Sequence, residues 1–278
     1  MTNVSDKRWH DLLRNAASGQ AVDLDGIPLP AMPDPAIQLR TVGQSGPGAM
    51  DEAWAFASQC LKRFQTSALF AGKRKVLLDF GTGWGRIARC FLRDFLAEDM
   101  IGAEIDGDLI SICRTTFSGP RFLPCGPMPP LDLPDASVDF VTGYSVFSHL
   151  SEAACRAWTD EFARVLKPGG MAALTTRGRW FFDYAASLPP NDPYSRALSS
   201  MFSDFGDAKA RYDRGEFVHS NAPGVTGGGV LDGGFYGETF ISERFAREVL
   251  GNGSVSLFEF DAAADHPILF FEKAALRR

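Results

Sequence analysis

In "MDEAWAFASQCLKRFQTSAL" the apolar residues Trp54, Ala57, Leu61 and Phe64 recur at three- and four-residue intervals, the stripe of one helical face. Within residues 1–26, Trp9, Leu12, Leu13 and Ala16 mark a shorter amphipathic helix. Between them runs "GIPLPAMPDPAIQLRTVGQSGPG", with five prolines and four glycines in 23 residues. That content argues against regular helix, because proline removes a donor and fixes φ. The stretch is also apolar, so it reads as an ordered arm packed on a domain.

From Val76 the pattern alternates. Apolar runs predict strands at 76–80, 100–105, 138–144 and 171–176, and helical stripes fall near 85–97, 107–117 and 151–166. Strands alternating with helices predict a parallel sheet covered on both faces. Ser151 is placed to cap the last of these helices, and "KPGG" at 167–170 to stop it. Past Arg177 the pattern dissolves. Residues 178–238 are rich in Gly, Asn, Asp, Pro and aromatics, including "GVTGGGVLDGGFYG". An irregular insertion of that length is a binding loop or lid, or else disordered. A helix near 242–250 and strands near 254–260 and 267–273 close the chain. The last two strands are too close in sequence for a parallel crossover and are expected to be antiparallel.

The chemistry concentrates at "VLLDFGTGWGRIAR", residues 76–89. Ligands of open parallel sheets bind beyond the carboxyl ends of the strands, where this loop lies. Glycine permits positive φ and close backbone approach, and amides at a helix start favour a polar or anionic group. Gly81, Gly83 and Gly85 are spaced G-x-G-x-G, one position short of the dinucleotide fingerprint. Asp79 precedes them, and Glu104 follows 19 residues beyond Gly85 at the end of the next strand, where a carboxylate accepts hydrogen bonds from ribose hydroxyls. Asp106 is the alternative for that role.

This acid–x–G–x–G–x–G stretch resembles the class I S-adenosylmethionine-dependent methyltransferases. "SVDFVTGYSVFSHL" at 137–150 and "EFARVLKPGGMAALTT" at 161–176 extend the resemblance, which covers residues 75–177 and, more loosely, the closing strands. "GFYGETFIS", with the terminal helix and strands after it, is loosely similar to bacterial methyltransferases among glycan- and small-molecule-modifying enzymes. The resemblance implies an α/β, Rossmann-like, mostly parallel seven-stranded sheet in order 3-2-1-4-5-7-6, with strand 7 antiparallel. An N-terminal helical and proline-rich extension (1–70) would precede a catalytic domain (71–278), with 178–238 on the acceptor side.

The resemblance further implies that Asp79, Gly81, Thr82, Gly83 and Gly85 hold the methionine moiety of S-adenosylmethionine. Glu104 would hold the ribose, and Ile105 would flank the adenine. Tyr144 and Ser145 would line the amino-acid end and face the acceptor. Where the family often has Gly-Asp after the third strand, Pro127 follows Gly126 here, so backbone groups near Cys125 and Gly126, or Asp132, are the adenine candidates. His149 has the pKa range of a general base; ordering its own loop is the alternative. Trp180, Phe181, Phe182 and Tyr184 would stack on a ring or fill a core. His219, Tyr236 and Glu238 read as loop or acceptor-shaping residues, and Arg40 as a surface residue or a partner of the cofactor carboxylate.

Direct displacement from a sulfonium gains most from orienting acceptor and methyl. The expected activity is methylation of a hydroxyl on a small molecule or glycan, releasing S-adenosylhomocysteine, with no metal. Alternatives are methylation of a small amine, a non-catalytic cofactor-binding subunit, or a nicotinamide-dependent oxidoreductase.

Bulk properties narrow the partners. With 278 residues and a net charge of −6, the chain carries no overall basic footprint for nucleic acid or an anionic membrane. Cys60, Cys90, Cys113, Cys125 and Cys155 lack C-x-x-C spacing, and most of them fall in predicted helices, as buried thiols would. No apolar run approaches a membrane span, and the N-terminus has no apolar leader core, so a cytoplasmic setting is expected. Oligomeric state is not legible.

Overall fold

The computed structural model describes residues 4–24, 27–263 and 265–275. Seven strands form one sheet: β1 (Leu77–Phe80), β2 (Met100–Glu104), β3 (Arg121–Pro124), β4 (Val138–Gly143), β5 (Leu166–Thr175), β8 (Val255–Asp261) and β9 (Ile268–Lys273). A two-stranded ladder of β6 (Val218–Ser220) and β7 (Glu238–Phe240) stands apart from it. The sheet order is 3-2-1-4-5-9-8; numbering its own strands alone gives the expected 3-2-1-4-5-7-6. By compactness the chain divides into two units, one running to Cys125 and including Ser137–Thr142, the other holding Gly126–Ala136 and the chain from Gly143.

In the first unit β1 pairs in parallel with β2 (Leu78 opposite Ile101) and with β4 (Leu78 opposite Val141), and β2 pairs with β3. All four β1 residues are buried, as an apolar run inside a parallel sheet requires. Helix α1 (Asp6–Ala17) buries Trp9, whose Nε1 donates to the Cys90 carbonyl at 2.8 Å. The proline-rich arm does contain a helix, α2 (Pro35–Val42), contrary to expectation. Pro35 stands in its first turn, where no N–H is needed, and Asp34 caps it by accepting from the Ala36 amide. Helix α3 (Pro47–Phe64) carries the predicted stripe, and Phe64 stacks on Phe140 at 4.5 Å between centroids. Helix α4 (Arg86–Phe91) is shorter than predicted, giving way to turns before β2, whereas α5 (Gly107–Thr116) matches closely.

In the second unit Ser151 accepts from the Ala154 amide and caps α6 (Glu152–Val165). The chain then enters β5 at once, so "KPGG" stops the helix but belongs to the strand, which begins five residues before the predicted start at 171. The closing strands β8 and β9 are antiparallel, and β9 also runs antiparallel to β5, with Leu269 opposite Leu174.

The stretch 178–238 is more regular than its composition suggests. It holds α7 (Trp180–Ser187), α8 (Pro193–Ser199) and α9 (Phe205–Asp213), the last two capped by Asp192 and Asp204. These helices are too short to display a periodicity, but they share a core of Phe181, Phe182, Leu198, Met201 and Tyr212 with Val218 and Phe240. Phe182 lies flat on Phe240 at 3.9 Å. No helix among the described residues is long and apolar enough to cross a membrane.

Candidate functional site

Burial of β1 places Asp79 inside the first unit at the root of the glycine loop. Its carboxylate accepts from Thr82 Oγ1 at 2.7 Å and Thr142 Oγ1 at 2.9 Å. Burial raises its pKa to about 6 against those hydrogen bonds, and the nearby Glu104 charge adds to the rise. Asp79 therefore braces the loop through Thr82; Thr142 was missed in the sequence, because a threonine 63 residues away carries no local signal.

Gly81, Gly83 and Gly85 all have positive φ, at 68°, 56° and 81°. Gly85 has a second reason to lack a side chain: a Cβ there would lie 2.5 Å from the Phe117 ring. At Gly83 a Cβ would meet nothing within 4 Å, so the loop borders open space at that point. The loop's amides are largely spent internally. Gly81 and Thr82 both donate to the Ala103 carbonyl, and Gly85 donates to Thr82. Gly83 donates to Glu104 Oε2 at 2.8 Å. The expected row of free amides for an anionic group is thus absent at these four positions.

Glu104 is buried and accepts three backbone amides, with Oε1 taking Ile105 and Asp106 and Oε2 taking Gly83. Desolvation raises its pKa against those amides. Of about four lone-pair positions on a carboxylate, one on Oε2 remains, enough for one ribose hydroxyl without breaking a bond. Asp106 Oδ1 caps α5 by accepting from the Asp108 and Leu109 amides. The Cys125 amide continues the β2–β3 ladder to the Glu104 carbonyl, and its half-buried thiol is pushed up to about 12 by burial. Arg40 is exposed on α2. The arm meets the loop's far side, where Trp84 Nε1 donates to Thr41 Oγ1 and Arg89 to the Ala31 carbonyl.

In the second unit the chain leaving β4 passes through Tyr144, whose ring packs edgewise on His266, to Ser145, a non-glycine residue at φ 58°. Such backbone strain persists only where the surroundings enforce it; here the Ser145 amide donates to Thr175 Oγ1 at 2.7 Å. Four residues on, His149 is buried, and its Nδ1 lies 2.7 Å from the Gly237 carbonyl. A carbonyl only accepts, so Nδ1 carries the proton and, in the neutral ring, Nε2 offers its lone pair. Ser145 Oγ lies 3.3 Å from that Nε2 and donates to it. Tyr236 stacks on the imidazole at 4.8 Å and 7°. Glu238 stands 3.6 Å behind Nδ1, ion-paired with Arg177. Burial lowers the His149 pKa, Glu238 opposing and Arg177 assisting.

The remaining candidates divide. Gly126 lies in the connection from β3 to β4, where a Cβ would approach the Met128 carbonyl at 3.3 Å. Trp180 and Tyr184 are half-exposed, whereas Phe181 and Phe182 belong to the core. His10 is bound to Asp51, and His219 Nδ1 lies 2.7 Å from Thr239 Oγ1. No group of acids, histidines and cysteines among the described residues is placed to hold a metal ion.

Residues 77–170 match the family model described as a methyltransferase domain. A Mycolicibacterium smegmatis protein named "Probable S-adenosylmethionine-dependent methyltransferase" is 29% identical over 155 residues, 55% of this chain and 57% of that protein. A similarly named Mycobacterium tuberculosis protein is 29% identical over 105 residues, 38% of this chain and 37% of that protein. The chain thus matches about half or less of the length of these relatives. In fold it is similar to a Haloferax volcanii methyltransferase solved with the Trm112 methyltransferase activator, at TM-score 0.52 and 14% identity over 88% of this chain and 100% of that one. A Pyrococcus horikoshii protein gives TM-score 0.52 and 15% identity over 79% and 88%.

Proposed function

We propose that the methyltransferase domain at residues 77–170 binds S-adenosylmethionine at the glycine loop, and that this chain moves the methyl group to a hydroxyl of a small molecule or glycan. The observation that carries this reading is the charge of the loop. Two buried carboxylates, Asp79 and Glu104, stand at its root, and the amides of Gly81, Thr82, Gly83 and Gly85 are already bonded. A dinucleotide pyrophosphate would find repulsion and few donors there, whereas a sulfonium nucleoside carries positive charge and ribose hydroxyls. The bare Gly83 backbone beside open space and the remaining Glu104 lone pair fit such a ligand.

When bound, the cofactor supplies a methyl on a positively charged sulfur, a leaving group that needs no further activation. The chain's own work is to orient and to manage one proton. Glu104 Oε2 would accept a hydrogen bond from a ribose hydroxyl, Asp79 holds the loop in shape through Thr82, and Ile105 and Cys125 would flank the adenine. Tyr144 and Ser145 serve the acceptor side. His149 Nε2, which accepts from the Ser145 hydroxyl, would take the proton of an acceptor hydroxyl.

Calorimetry with S-adenosylmethionine, S-adenosylhomocysteine and NAD tests the cofactor assignment: micromolar binding of the first two and none of NAD is expected, and the reverse order would overturn it. His149→Gln should lower S-adenosylhomocysteine release over an acceptor panel by about 10²–10⁴-fold, the usual contribution of a general base. Cofactor affinity should stay within about twofold, as His149 has no role there in this scheme. An unaltered rate would remove His149 as the base.

A further inference from the structure

The motif "GFYGETFIS" has so far no part in the chemistry, yet its central residues surround His149. The chain at 235–239 runs antiparallel along 148–151. Ser151 donates to the Phe235 carbonyl, Gly237 to the His149 carbonyl and Thr239 to the Ser148 carbonyl, each at 2.8 Å. Thr239 Oγ1 adds a bond to the Leu150 carbonyl at 2.7 Å. Gly237 tolerates no side chain, because a Cβ would lie 2.1 Å from the Ser220 carbonyl oxygen. The backbone is therefore held tightly where its carbonyl meets Nδ1.

We infer that Glu238, bridged to Arg177, is the positioning residue that sets how readily His149 takes a proton, while the Gly237 carbonyl decides which ring nitrogen is free to take it. This inference rests on the reading of His149 as the base. Glu238 is 2% exposed, with Oε1 3.6 Å from His149 Nδ1. Arg177 Nε donates to Oε2 at 2.7 Å and its Nη2 to Oε1 at 3.2 Å. A buried ion pair is a poor way to gain stability, since apolar residues of like volume often do as well. Placed against an imidazole, the pair does something apolar residues cannot. The carboxylate favours the imidazolium that forms when Nε2 takes a proton, and the guanidinium offsets it so that the resting ring stays neutral. Other titratable groups facing this cluster are His219, whose Nδ1 meets Thr239 Oγ1, Tyr236 stacked on the ring, and Tyr194 beside Arg177. Burial and Arg177 hold His149 below its ordinary pKa, with Glu238 pulling upward.

The test is a nuclear magnetic resonance titration of the full chain labelled with ¹⁵N-histidine, the His149 signal being assigned by its loss in His149→Gln. The wild-type neutral ring should be protonated at Nδ1. Glu238→Gln should lower the titration midpoint by about one pH unit, a tenfold loss of proton affinity, and Arg177→Met should raise it. A purely structural role gives no such opposed movements. Should Glu238→Gln fail to fold with Arg177 unpaired, the double variant Arg177→Met/Glu238→Gln keeps no orphaned charge, and its midpoint should fall below that of Arg177→Met. Midpoints that stay together across the variants would overturn the inference and leave the base assignment standing, whereas a ring protonated at Nε2 would overturn both, because that nitrogen then has no lone pair for the acceptor's proton. An unaltered rate in His149→Gln would instead overturn the base assignment, and this inference with it.

Discussion

Asp79 and the glycines show how one residue can serve the fold and the site at different cost. Asp79 in the folded chain titrates near 6 because burial disfavours its charge, against an ordinary value of 3.8. The folded state therefore holds this proton more tightly than the unfolded one, and its contribution to stability falls as pH rises from about 4 to about 6. The difference corresponds to about 3 kcal/mol. Asp79→Asn should abolish that slope, so its melting temperature should exceed the wild type's more at pH 7.5 than at pH 4, while cofactor affinity drops; thermal melts at both pH values check this. The glycines separate similarly. Gly85→Ala drives a methyl group into Phe117 at a left-handed φ and should cost about 1–3 kcal/mol of stability. Gly83→Val faces open space, so its fold should lose only about 1–2 kcal/mol from backbone strain, yet calorimetry should find cofactor binding abolished. Retained micromolar binding would count against the loop assignment.

At the scale of elements, the regions hardest to read are those built from short pieces. The long apolar runs of β1 and β4 and the stripe of α3 declare themselves, because each element by itself contains enough residues to show its period. Helices α7, α8 and α9 have seven to nine residues each and make sense only through the core they share. Phe182→Ala should therefore cost about 3–5 kcal/mol, and hydrogen exchange should speed up across 180–240 more than in β1 and β2. Uniform acceleration would mean that this core is not a cooperative unit of its own. The α2 helix teaches the converse: prolines counted as helix-breakers include one at the helix's first turn, where it is compatible.

For the whole molecule, the five cysteines give a global probe. Four are buried and Cys125 is half-buried, all without disulfides. In the folded chain at pH 8 a thiol reagent should modify Cys125 first and slowly, its thiolate being scarce at a pKa of about 12. S-adenosylhomocysteine should slow it further if Cys125 borders the adenine; all five should react in guanidinium. An unchanged rate with ligand would move the adenine end away from Cys125.

The sequence by itself determined the strand–helix alternation, the sheet order through its family resemblance, and the loop from Asp79 to Gly85, because those features are written in contiguous residues whose spacing is their meaning. Only the tertiary structure decided that the loop's amides are consumed, that Thr142 braces Asp79, that Glu104 keeps a single open lone pair, and that Gly237, Glu238 and Arg177 gather behind His149. Hydrogen bonds and charge pairs between residues far apart in the chain depend on where folding brings their backbones, and no local spacing records that.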